Sequence, residues 1–154
     1  MTYEVIAEII PNKPYRLVYL NNQAKPLIKE YPHRFMGDKV FCGFYGFIKT
    51  FGTPLEVHLD AIVLTNSKVS LGDSVLCKVI GAFKRSDNDH KILLVENNSK
   101  IDDILQLPNT EINALLNLYD NKNSITDDDK VVEGWITSHA AKELIKEIKK
   151  SRKI

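Results

Sequence analysis

Up to residue 97 apolar side chains recur at alternate positions or in short unbroken runs, and beyond it they recur every three to four residues. From Tyr3 to Ile10, Val5, Ala7 and Ile9 alternate with Glu4, Ile6 and Glu8, a half-buried strand that Pro11 ends. The turn Pro11-Asn12-Lys13-Pro14 leads into a second strand, Tyr15 to Leu20. Asn21-Asn22 then suits a hairpin turn, because Asn tolerates left-handed backbone angles, and a short third strand follows near Pro26 to Glu30. Phe35, Phe41, Phe44, Tyr45, Phe47 and Phe51 gather around Gly37, Gly43, Gly46 and Gly52, so apolar burial sits beside positions that allow close backbone approach. Leu55 to Leu64 and Ser74 to Phe83 are rich in β-branched and apolar residues and predict central strands, with the turn Ser70-Leu71-Gly72-Asp73 between them. Lys91 to Glu96 is the strand that returns after the loop Ser86-Asp87-Asn88-Asp89.

The helical period begins near Pro108, where Ile112, Leu115, Leu116 and Tyr119 fall on one face. A polar loop holds Asn121-Lys122-Asn123 and Asp127-Asp128-Asp129, and Val131 to Trp135 reads as one more short strand. Thr137 or Ser138 is placed to cap a last helix whose apolar stripe is Ala141, Leu144, Ile145 and Ile148. Its terminal Lys149, Lys150, Arg152 and Lys153 complement the helix dipole as a solvated end. Many strands followed by two helices predict an α+β domain with a closed or nearly closed antiparallel sheet. At 154 residues this is one domain, over 1–154, large enough to bury a core.

Charge narrows the function classes. With 21 Lys+Arg against 20 Asp+Glu the net charge is +1, so no global basic field predicts nucleic acid or an anionic membrane as a partner. The start MTYEVIAEII has an early Glu4 and no basic opening, and no apolar run reaches the roughly 18 residues of a membrane helix. Cys42 and Cys77 lie in apolar runs, too few for a disulfide framework, which predicts reduced thiols and a cytoplasmic location.

Asp60 interrupts the apolar run VHLDAIVL, where a carboxylate needs a partner or a metal. Asp87 and Asp89 flank Asn88 in the predicted loop, beside Lys84, Arg85 and Lys91. Converging carboxylates suit a hard cation such as magnesium, and neighbouring Lys and Arg suit phosphate; turn formation is the alternative use of Asp87 and Asp89. Glu8 is either a weaker candidate of the same kind or the polar face of an edge strand. His33, His58, His90 and His139 have no metal-ligand spacing, the acidic loop lacks the Gly and closing Glu of an EF-hand, and neither a G-x-S-x-G nor a Gly-rich phosphate loop occurs.

In order along the chain, AEIIPNKPYR, RFM, FCGFYGFI, LDAIVL, LGDSVLCKVIGAFKRSDNDHK and VVEGWITSHAAKELIKEIKKS resemble the soluble family I inorganic pyrophosphatases. The resemblance implies an OB-like five-stranded closed antiparallel barrel with two flanking C-terminal helices, Mg2+ as cofactor, a pyrophosphate substrate, and a homo-oligomer, commonly a hexamer in bacteria. By motif it implies that Asp60 is a bridging metal ligand and catalytic, that Asp87 and Asp89 are metal ligands, and that Glu8 is an outer-site carboxylate. Arg16, Arg34, Tyr45, Lys91 and Tyr119 match phosphate contacts.

The departures lie just upstream of Asp60. The family's D-G-D-P-x-D is here Leu55-Glu56-Val57-His58-Leu59-Asp60, so two carboxylates have become Leu55 and Val57. Glu56 has the opposite strand parity and does not replace them without a register shift. A further family Glu is Val18, a phosphate-facing Tyr is Phe41, and the Lys after Tyr119 is Asp120. General-base assistance is worth about 10²- to 10⁴-fold, so losing these carboxylates predicts severely weakened hydrolysis. Two functions follow. One is weakened Mg-dependent hydrolysis of pyrophosphate or a related phosphoanhydride, and the other is a catalytically inactive homologue binding a phosphate-containing ligand or a protein partner.

Overall fold

A computed structural model describes residues 2–10, 15–18, 27–30, 43–49, 59–85, 90–119 and 132–151. The strands are β1 (Thr2–Ile9), β2 (Tyr15–Val18), β3 (Leu27–Glu30), β4 (Gly43–Ile48), β5 (Asp60–Leu64), β6 (Ser74–Arg85), β7 (Lys91–Glu96) and β8 (Val132–Thr137). A 3-10 turn (Ile104–Gln106) and α1 (Asn109–Tyr119) precede β8, and α2 (Ser138–Ser151) follows it. β4 falls in the aromatic- and glycine-rich stretch to which alternation assigned no strand; the other strands and both helices lie where alternation or the helical period places them, the start of the Leu55 to Leu64 strand lying outside the described residues. Among the described residues, no helix is long and apolar enough to cross a membrane.

The sheet runs β3-β2-β1-β4-β5-β7-β6-β8, and β1 pairs again with β6. That second pairing, Thr2↔Lys78 through Ile6↔Ser74, closes β1-β4-β5-β7-β6 into a five-stranded barrel. The β2–β3 hairpin extends from β1, and β8 lies outside β6.

The barrel is mixed rather than wholly antiparallel, because β5 and β7 run parallel from Ala61↔Ile92 to Leu64↔Val95. The long β6 is the crossover between them and lies beyond β7 in the sheet, so β5 and β6 are not neighbours. The Ser70–Asp73 turn does form, with Asp73 N–H donating to Ser70 O at 3.1 Å and Gly72 at φ +88°. It docks on β1 through Gly72 N–H to Ala7 O at 2.8 Å instead of joining adjacent strands. β7 shows why alternation fails there: Lys91 through Val95 are all buried, as in a strand covered on both faces.

Two apolar layers result. Val5, Ala7, Phe44, Ala61, Val63, Ile92 and Leu94 pack with Ala141 and Ile145 of α2. Ile9, Ile62, Phe83, Leu93 and Val95 pack with Ile104, Leu107 and the α1 residues Ile112 and Leu115. Of the two expected caps, Thr137 stands directly before α2 and Ser138 is drawn elsewhere. Ser138 is the first helical residue, and its hydroxyl donates to Val79 O at 2.9 Å, so it does not cap the helix. Its N–H is accepted instead by Asp103 Oδ2 at 3.3 Å, while Asp103 Oδ1 caps the 3-10 turn at Leu105 N.

Candidate active site

Asp60 opens β5 and Lys91 opens β7, and the parallel register that aligns Ala61 with Ile92 brings the preceding pair side by side. Lys91 Nζ lies 2.7 Å from Asp60 Oδ2. The lysine side chain is 6% exposed and the aspartate 18%, so this ion pair is largely withdrawn from water. Burying an ammonium is costly unless charge and hydrogen bonds meet it, which the carboxylate does here. Lys91 Nζ also lies 5.6 Å from the Tyr45 ring centroid, within cation–π range.

Register explains why Tyr45 is present. β4 pairs with β5 as Tyr45↔Ile62 and Phe47↔Asp60, which puts Tyr45 and Asp60 on one face of the sheet. Gly46 makes the other side of β4 fit, since a Cβ there would strike the carbonyl oxygen of Ile6. β1 carries one extra residue, Glu8, between the pairs Ala7↔Gly46 and Ile9↔Tyr45. Such a bulge redirects a side chain. Glu8 is 3% exposed on a strand paired along both edges, so it is not the solvated face of an edge strand.

The other candidates divide by position. Arg16 pairs through its backbone with Ile9, which puts β2 next to the bulge, and Tyr119 ends α1. Arg34, Asp87 and Asp89 lie outside the described residues, as do Leu55, Val57, Phe41 and Asp120. Val18 lies in β2 opposite Leu27. The loop holding Asp87 and Asp89 leaves from Arg85 and returns at His90, directly before Lys91. His90, weighed from sequence only as a metal ligand, accepts the Arg85 N–H on Nδ1 at 3.0 Å. Only its adjacency to Lys91 marked it beforehand.

Magnesium demands near-octahedral oxygen coordination. Among the described residues no three His, Cys, Asp or Glu side chains converge, and Asp60 already faces an ammonium. The described residues alone do not fit the ion.

A family model described as inorganic pyrophosphatase matches residues 5–153. Among solved structures, an inorganic pyrophosphatase from Helicobacter pylori aligns with a TM-score of 0.75 at 16% identity, covering 97% of this chain and 92% of its own. One from Thermus thermophilus gives 0.74 at 18% identity, covering 94% and 87%. One from Ehrlichia chaffeensis gives 0.70 at 23% identity, covering 95% and 92%. At these identities the structural likeness speaks for the fold. No curated protein matches the chain.

Proposed function

The chain belongs to the inorganic pyrophosphatase family, and from that premise we propose that it binds pyrophosphate or a related phosphoanhydride and hydrolyses it weakly with Mg2+. The observation that supports this reading is the cluster of Asp60, Lys91 and Tyr45 contributed by three different strands. An ammonium held by one carboxylate and one aromatic face is a preorganised partner for phosphate oxygens. In this reading Lys91, Arg16 and Arg34 balance phosphate charge, while the hydroxyls of Tyr45 and Tyr119 donate hydrogen bonds to phosphate oxygens. Asp60 takes a proton from the attacking water, whose oxygen bonds to one phosphorus as the bridging oxygen leaves with its electron pair on the other phosphate. Asp60, Asp87, Asp89 and the outer Glu8 are the residues that would hold Mg2+, which when bound neutralises the diphosphate charge.

Weakness follows from Leu55 and Val57, which carry no charge where the family motif has two carboxylates. The same pair favours the second reading, a protein that retains phosphate binding without turnover. Phosphate release from pyrophosphate with Mg2+, beside calorimetric titration of pyrophosphate, separates the two. Slow release abolished by Asp60→Ala supports the enzyme; binding with no release supports the binder; neither binding nor release overturns both. We extend the proposal to a cytoplasmic homo-oligomer of one-domain chains, so that light scattering returns a multiple of 17.5 kDa and unfolding is a single transition.

A further inference from the structure

β6 and β7 pair from Cys77↔Glu96 to Phe83↔Lys91, with one register shift between Val79 and Gly81. Beyond Phe83, β6 carries on to Arg85 beside β8, with Lys84↔Gly134 and Arg85↔Val132, while β7 starts at Lys91. β8 skips Glu133 between these two pairs, so the β6–β8 pairing shifts beside Arg85. The Arg85 N–H donates to His90 Nδ1 at 3.0 Å, so a side chain links the end of β6 to the residue before β7. His90 is 8% exposed, so this bond is sheltered from competing water. As an acceptor Nδ1 carries no proton, and the ring is the neutral Nε2–H tautomer.

The next residue is Lys91, whose buried ammonium lies 2.7 Å from Asp60. We propose that His90 is a positioning residue: its ring is a clasp that ties the end of β6 to the start of β7 and thereby fixes the backbone from which Lys91 reaches Asp60. The clasp is a property of the fold, whereas its effect on ligand binding rests on the function proposed above. Nothing in the metal-ligand reading of histidine is needed, because the ring acts through Arg85 and Lys91.

Three variants test it. Asn places Oδ1 close to the position of Nδ1, Gln reaches the position of Nε2 instead, and Ala removes the acceptor. In His90→Ala and His90→Gln, Arg85 amide hydrogen exchange is expected to rise about fivefold, the equivalent of one net hydrogen bond, and His90→Asn is expected to restore protection. Lys91 labelling by acetic anhydride, read by mass spectrometry against Lys49 as an internal reference, should rise in the same two variants and return in His90→Asn. Weaker pyrophosphate binding in the same two variants, again rescued by Asn, is the expected functional readout. A general loss of stability would raise the labelling of all lysines together and would not follow the Asn-versus-Gln distinction. Unchanged Arg85 protection in His90→Gln, or lost protection with unchanged Lys91 labelling, overturns the proposal. If the wild-type protein binds no pyrophosphate, the functional reading fails, while the exchange and labelling results still decide the clasp.

Discussion

Lys91 is buried to 5% exposure, and the consequences of changing its partner are calculable. Asp60→Ala removes the carboxylate that faces the ammonium and should destabilise the protein by about 3 kcal/mol, read from urea midpoints. Adding Lys91→Met should recover most of that loss, because a well-packed apolar pair replaces a buried ion pair at little net cost. A single Asp60→Ala variant as stable as wild type would show that this pair is not a buried one. Cys77 gives a second prediction. Burial, and then the charge of Glu96, push its thiol from 9.0 up to about 12. A raised thiol pKa favours the neutral form in the folded protein, so its stabilising contribution is full below pH 9 and is lost as pH rises towards 12. In a Cys42→Ser background, Cys77 should stay inert to thiol reagents at pH 8 and react at the free-thiol rate once urea unfolds the chain. Asp60 was legible in the sequence because a carboxylate inside an apolar run demands explanation. His90 was not, because its bond to Arg85 exists only once the hairpin register is known.

Among the elements, α2 depends on a residue that its own sequence does not reveal. Asp103 accepts from Leu105 N with one oxygen and from Ser138 N with the other, so one side chain secures both the 3-10 turn and the start of α2. Asp103→Ala should cost about 1–2 kcal/mol, the usual cost of losing a capping side chain. Asp103→Asn, which keeps a single acceptor oxygen, should fall between it and wild type in thermal unfolding. The sequence signalled a cap at Thr137 or Ser138, since hydroxyl residues stand before the apolar stripe. Thr137 does stand directly before α2, but tertiary structure adds a carboxylate 35 residues earlier as acceptor for Ser138 N–H and turns Ser138 Oγ towards Val79 O. β7 shows the same limit in another form. Its buried run reads as a strand, but an unbroken apolar run carries no sign of its neighbour's direction, so the parallel pairing with β5 was not legible.

For the whole molecule, alternation and helical period carried most of the architecture, and closure through β1–β6 made it a barrel. The barrel brings Asp60, Tyr45 and Lys91 together from positions 46 residues apart at most. The barrel and the Asp60–Lys91–Tyr45 cluster are therefore present together, while the proposed chemistry turns on two positions outside the described residues, Leu55 and Val57. Restoring charge there tests the account most directly: Mg-dependent phosphate release from pyrophosphate is measured for wild type, Asp60→Ala, and the double variant Leu55→Asp with Val57→Asp. The account predicts slow release in wild type, none with Asp60→Ala, and a gain of about 10²-fold in the double variant, the lower end of general-base assistance. Rapid wild-type release that Asp60→Ala leaves intact, or a folded double variant that gains nothing, would contradict it.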